Sequence, residues 1–399
     1  MNQLDTAGIR NIVGRFPTTR DEDWKYTDLG PARDISLRWL DAGATDPGSA
    51  VDLDVAALIS EIDAHWFVIA NGTLTRRPDV TGITISPLAT TDRNDDALAE
   101  FNAALLREGV RIQVSGTLDK PLALLFIDAA DTLAVSQARV ELALAPQSDL
   151  DLVEYHVSQG HAEHFANTML RIDIADHARL RHVRIQSRDL SHIQTGATAI
   201  TLGRDSSLNM TGFDLGGRLI RNDLDIELGQ KGAAAAFDGL YLAGDGQHID
   251  NHTRVDHRVG PAVSRQEYRG ILNGRCRCVW NGKVIVHEGA DGTDGDQANH
   301  NLVLSEKAEI DTKPELEIYA DDVKCSHGTT VGQLDETALF YLRSRGLDRR
   351  HATQVLTHAF AAGLVSRIPV AAAVQLVEKL VVARLADLID DPVRNDVIV

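Results

Sequence analysis

The stretch Ile318-Tyr-Ala-Asp-Asp-Val-Lys-Cys-Ser-His-Gly-Thr-Thr-Val-Gly332 holds the residues best suited to chemistry. A hydrophobic strand pattern there runs into two acids and then Lys324, Cys325, Ser326 and His327. Cys325 and His327 are two apart, so on an extended strand both side chains leave the same face. A thiolate and an imidazole suit iron, copper or zinc, but two ligands do not close a metal site. The missing ligands are expected from outside the chain.

Other candidates carry less. Cys276-Arg-Cys278 places two thiols on one face of a strand, yet structural zinc wants C-x₂₋₄-C and a second pair, which the chain lacks. These two are expected as small buried hydrophobes. His156, His161 and His164, and likewise His248, His252 and His257, lack the H-E-x-x-H pattern and read as structural or solvent-facing. Asp245, Asp250, Asp256, Asp291, Asp294 and Asp296 could line the groove of a β-helix carbohydrate-active enzyme. Turn formation explains the Asp245-Gly246 and Asp291-Gly292 pairs better. There is no G-x-S-x-G and no phosphate loop ending in Lys-Ser or Lys-Thr, so hydrolysis of ATP by this chain is not expected.

Composition sets the class. Of 399 residues, 43% are hydrophobic and 25% charged, as in an ordinary globular protein. A formal net charge of −18, with no basic stripe, argues against nucleic acid. No signal pattern or membrane-length apolar run is seen, and three cysteines in so long a chain suit a reducing compartment. A soluble cytoplasmic protein is expected.

The elements that must position Cys325 and His327 follow from periodicity. Residues 1–109 read as a mixed N-terminal segment. It has a short helix stopped by Pro17, a polar linker carrying Trp24 and Tyr26, a strand over residues 64–70 ending at Asn71-Gly72, and a helix over residues 92–107. The aromatic-bearing linker is expected as an arm docked on the body. From 110 to 332, alternating strands recur around turns near 146, 176, 204 and 230, a period of about 26–30 residues. Further turns fit near 259–261 and 306–307, with a less regular rung at Asn273-Gly274. Propellers need longer repeats and sandwiches lack such a super-period, so a β-helix fits best. Its exposed edge strands call for a cap or a partner. Residues 333–399 return to helix: 335–345 ending at Gly346, 348–362 ending at Gly363, and 369–389. The third helix has a wide apolar face, expected to pack mostly against its neighbouring helices.

The runs Tyr268-Arg-Gly-Ile-Leu-Asn-Gly274, Gly282-Lys-Val-Ile-Val286, Asp296-Gln-Ala-Asn-His-Asn-Leu-Val-Leu-Ser305, Lys313 through Gly328 and Leu339 through Gly346 resemble the SufB/SufD family of iron–sulfur cluster assembly scaffolds. With Asp23-Trp-Lys-Tyr-Thr27, the resemblance spans most of the chain and is closer to the SufD side. It implies a right-handed parallel β-helix core with an N-terminal α/β segment and a C-terminal α-helical domain. It also implies a non-catalytic scaffold in complex with SufB, paired along the β-helix edge, and with the ATPase SufC, docked on the helices. A homodimer is the alternative for the isolated chain. By the same resemblance, His327 and, beside it, Cys325 would be ligands to a nascent iron–sulfur cluster at the SufB interface. That cluster would be bound transiently in the complex, and none would be held tightly by this chain alone. Asn299-His-Asn301 stands about where SufB has its essential cysteine.

Overall fold

The computed structural model describes residues 5–44, 55–88 and 96–390. Its strands begin with a hairpin, β1 (His65–Ala70) and β2 (Thr73–Arg76), followed by β3 (Ile83–Pro87). Next come β4 (Val110–Val114), β5 (Leu122–Ala129), β6 (Ala134–Leu144), β7 (Asp149–Gln159), β8 (His164–Ile174) and β9 (Arg179–Ser187). The run continues through β10 (His192–Leu202), β11 (Ser207–Asp214), β12 (Leu219–Leu228), β13 (Ala234–Ala243) and β14 (His248–His257). It ends with β15 (Val263–Leu272), β16 (Arg277–Val286), β17 (Asp294–Val303), β18 (Glu309–Ile318) and β19 (Lys324–Gly332).

From β4 onward the strands alternate between two sheets, and each pairs in parallel with the strand two along. The result is the parallel β-solenoid that the periodicity predicts. Ser207 pairs with Ala234, 27 residues on, and Val263 with Asp294, 31 on, slightly wider than the expected period. Antiparallel pairings of β1 with β2 and of β3 with β4 finish the N-terminal end. Asn71 and Gly72, both at positive φ, turn the β1–β2 hairpin as a type I′ pair. At the other end β18 and β19 each lie at the edge of their sheet.

Each coil has two corners, and the sequence reading merges them. Turns near 146, 176, 204, 230 and 259–261 lead from an even strand to the next odd strand. Residues 273–274 and 306–307 lie at the opposite corner; the matching corners there are 287–293 and 319–323. Both kinds contain Gly and polar residues, so composition does not separate them. The strands are also longer than the apolar alternation suggests. The interior is apolar beside one corner, with Leu142, Leu170, Ile200 and Ile226, and polar beside the other, with His182, Arg184, Gln186 and Gln194. In many of the strands buried polar positions interrupt the hydrophobic pattern.

Helices cover both outer faces. α1 (Thr6–Gly14), α2 (Gly30–Asp41), α3 (Val55–Ser60) and α4 (Ala97–Leu105) lie in the N-terminal segment. Phe16, Ile35, Leu98 and Phe101 from this segment pack on Val135, Phe165, Ile193 and Leu219, on the outside of the even sheet. α2 falls within the stretch read as linker; its apolar face is short and mixed with Arg and Asp. The first residues of the helix expected over 92–107 lie outside the described residues, and Asp96 caps α4.

α5 (Glu336–Ser344), α6 (Arg349–Val365) and α7 (Val374–Asp390) follow β19. Asp335 and Asp348 accept backbone N–H bonds as N-caps of α5 and α6. α6 continues through Gly363, which the sequence reading takes as its end. There the helix rests on Arg269, and a Cβ would fall 2.3 Å from the guanidinium. α7 starts at Val374, after a short 3₁₀ turn, and not at Pro369. Its face, with Val377, Val381, Leu385 and Leu388, packs on Val153, Ile185, Phe213 and Leu240 of the odd sheet as well as on its neighbouring helix. Each such side chain contributes roughly 1.5–3 kcal/mol when fully buried, so α7 is held firmly on the solenoid.

Candidate functional site

The site is built on β19, the last strand of the odd sheet. Among the described residues it pairs with β17 on one side only, and its register sets Cys325 over Gly295 and His327 over Gln297. In the parallel ladder Lys324 N–H bonds back to Thr293 O. Alternate residues face opposite neighbours, so Cys325, His327, Thr329 and Val331 present their backbone groups to the unpaired edge. Exposed Tyr319 and Val331, the latter 55% exposed, flank that edge.

Cys325 and His327 share a face as their spacing requires, but their surroundings differ. Cys325 is half-buried against the apolar interior. Its sulfur lies over Gly295, where a Cβ would be in ordinary contact at 3.5 Å. Burial pushes the Cys325 thiol up, Asp294 adds to this, and a backbone hydrogen bond from Gly295 partly opposes both. The group is therefore a thiol at neutral pH. His327 is exposed. Along a strand the two Cα atoms are about 6.6 Å apart. Among the described residues, no group of three or more His, Cys, Asp or Glu could hold a metal ion.

Sequence reasoning missed the residue beneath His327. Gln297 is 1% exposed, and among the described residues neither atom of its amide has a hydrogen-bond partner. Leaving such a group unpaired costs about 1–3 kcal/mol. A glutamine in an alternating strand reads as outward-facing, and only the register shows that it points in.

The other candidates resolve one by one. Cys276 and Cys278 are buried in the apolar cluster, and burial beside Cys276 pushes the Cys278 thiol far up, as packing residues would be. Asp250 is buried on Arg221 at 2.6 Å, Asp256 binds Arg254 at 2.6 Å and Asp294 binds Arg265 at 2.7 Å. Asp296 accepts from Ser326, while Asp245 and Asp291 sit at corners beside Gly246 and Gly292, both at positive φ. These acids are consumed in pairs and turns and do not line a groove. Asn299 and Asn301 point inward to the Tyr241 hydroxyl, and His300 points out to Thr330 at 2.9 Å. His156 and His164 are buried while His161 is exposed.

The motif Asp23 to Thr27 forms a docked arm. Trp24 lies against the Arg221 guanidinium at 4.3 Å, Arg221 donates to Asp23 O at 3.0 Å, and Thr27 Oγ1 meets His248 Nε2 at 2.8 Å and donates to Asp250.

The solenoid ends in antiparallel strand pairs at one end and carries a thiol–imidazole pair on an edge strand at the other. Residues 125–360 match the family described as SUF system FeS cluster assembly, SufBD core domain. The chain is 32% identical over 365 residues to iron-sulfur cluster assembly protein SufD of Escherichia coli (strain K12), covering 88% of this chain and 84% of that protein. It is 30% identical over 405 residues to a SufBD family protein of Synechocystis sp. (strain ATCC 27184 / PCC 6803 / Kazusa), covering 91% and 87%. A Mycobacterium leprae SufBD family protein is 28% identical over 376 residues, covering 92% and 89%. The chain belongs to the SufB/SufD family, and its role lies in iron–sulfur cluster assembly. Among the described residues no helix is long and apolar enough to cross a membrane.

Proposed function

We propose that the chain is a non-catalytic, cytoplasmic scaffold subunit of a SUF complex, working with a SufB-type partner and the ATPase SufC. In this reading His327, with Cys325 beside it, supplies this chain's ligands to a nascent iron–sulfur cluster at the SufB interface. The cluster is cargo, completed by partner ligands and passed on. The observation that carries the reading is the position of His327, exposed on a terminal strand with a free edge. A ligand placed there is complete only when a second chain covers it, which makes iron binding depend on correct assembly.

The test is co-expression of the His327→Ala chain with SufB and SufC. The complex is expected to co-purify intact with its iron and acid-labile sulfide lost; wild-type cluster content in the variant would sink the role.

The same reading places SufC on the C-terminal helices. Removing everything after Gly332 is expected to abolish SufC binding, but it would also strip the cover from the odd sheet. A cleaner probe lies on α5, where Phe340 is 73% and Tyr341 56% exposed. Phe340→Asp is expected to lose SufC in a pull-down at unchanged thermal stability; retained binding would argue for docking elsewhere.

A further inference from the structure

One inward column of the solenoid changes character toward the open end. Met210, Phe237, Gln266, Gln297 and His327 occupy it in succession, each in register with the next. Two apolar side chains give way to two glutamines and then an imidazole. Side chains at paired positions leave the sheet on the same face, so Gln297 lies directly beneath His327. Gln266 Oε1 accepts from Thr253 Oγ1 at 2.8 Å, and its Nε2 has no partner. Gln297 has none at either amide atom. Buried amides without partners are uncommon in folded proteins. The polar neighbours in its column are Gln266 below and His327 above.

We propose that Gln297 is a positioning residue for His327. By rotation of the two side chains its Oε1, unbonded in this structure, comes to accept the N–H of the ring nitrogen turned into the column, leaving the other nitrogen facing outward with its lone pair free. Gln297 Nε2 in turn donates to Gln266 Oε1, which has a second lone pair beside the Thr253 bond. A metal-ligating histidine is held by a hydrogen bond donated from its second nitrogen, which fixes tautomer and ring direction. An apolar residue such as the Phe237 lower in the column would supply no acceptor. The purpose of this contact rests on the ligand reading of His327; the contact itself does not.

The experiment is long-range ¹⁵N–¹H correlation of the full chain with labelled histidine. It is run about two pH units above the ordinary imidazole value of about 6.5, with His327 signals identified by their loss in His327→Gln. The wild type is expected to show one dominant tautomer. Gln297→Leu, similar in bulk but without an acceptor, is expected to give a mixture near that of free imidazole. Gln297→Glu, which keeps the oxygen, restores the single form. A role in packing alone reverses the ranking, because leucine suits a buried site better than a carboxylate. An unchanged tautomer ratio in Gln297→Leu, or in Gln297→Met should the leucine variant not fold, overturns the proposal. So does equal scrambling by Leu and Glu. If His327→Ala still matures clusters while Gln297→Leu scrambles the tautomer, the ligand reading falls and the contact stands.

Discussion

His164 and His192 stack in the polar half of the interior with ring centroids 5.3 Å apart. Burial holds His164 down to about 3, and burial with nearby His164 and Arg188 holds His192 down to about 2. In the unfolded chain each takes up a proton near about 6.5. Below that pH the unfolded state binds more protons, so stability is full above it and is lost as pH falls toward the folded values. At pH 5 the loss is about 2 kcal/mol per histidine. Urea titrations at pH 7.5 and pH 5 are expected to differ by at least that amount, and His164→Gln to remove about half of the pair's share. A flat profile would show that these rings are protonated in the fold. Glu154, also buried in the interior, adds to the same trend at lower pH: burial opposes its charge, but hydrogen bonds from His156 and His182 hold it well below the usual carboxylate range. That Cys325 and His327 share a face was legible, because positions i and i+2 need only the strand period. Gln297, His164 and His192 were not, since their meaning depends on which way a polar side chain points.

The N-terminal arm is an element held by one residue of the solenoid. Arg221 is buried between Asp250 and Asp223 and under Trp24, and these acids hold its charge firmly. Arg221→Met leaves Asp250 without its guanidinium, at a cost of about 3–5 kcal/mol. It should also free the arm, read as faster proteolysis between Pro17 and Gly30. Trp24→Ala, which removes the stacking on Arg221 and the packing of a half-buried ring, is expected to cost about 1–2 kcal/mol. Equal stability in wild type and Arg221→Met would show that the arm is held elsewhere. The sequence marked this stretch as a docked arm from its two aromatics. The anchor lies 198 positions away in sequence from Asp23 and carries no local signal. The same limit explains α7, whose apolar face was clear while the sheet it covers was not.

At the scale of the molecule, the alternation of apolar strands and the period of the turns were enough for a solenoid. The two kinds of corner and the polar half of the interior were hidden by composition. Covering and capping distinguish its two ends. The N-terminal end finishes in antiparallel strands, and the C-terminal end leaves β18 and β19 as edges. If a partner strand adds to β19, Thr329→Pro removes an edge N–H without breaking a bond to β17. It should weaken SufB co-purification while leaving the melting temperature within a few degrees. Full retention of SufB would exclude strand addition at that edge.

The free edge of β19 has a consequence for selectivity. Backbone N–H and C=O groups are the same in every protein, so an edge confers adhesion without discrimination. Partner choice must then be made by the side chains beside it, Tyr319 and Val331 among them, and by whatever they refuse to pack against. Cargo binding and partner choice would thus be written in different residues of β19 and the corner before it, each free to change without the other.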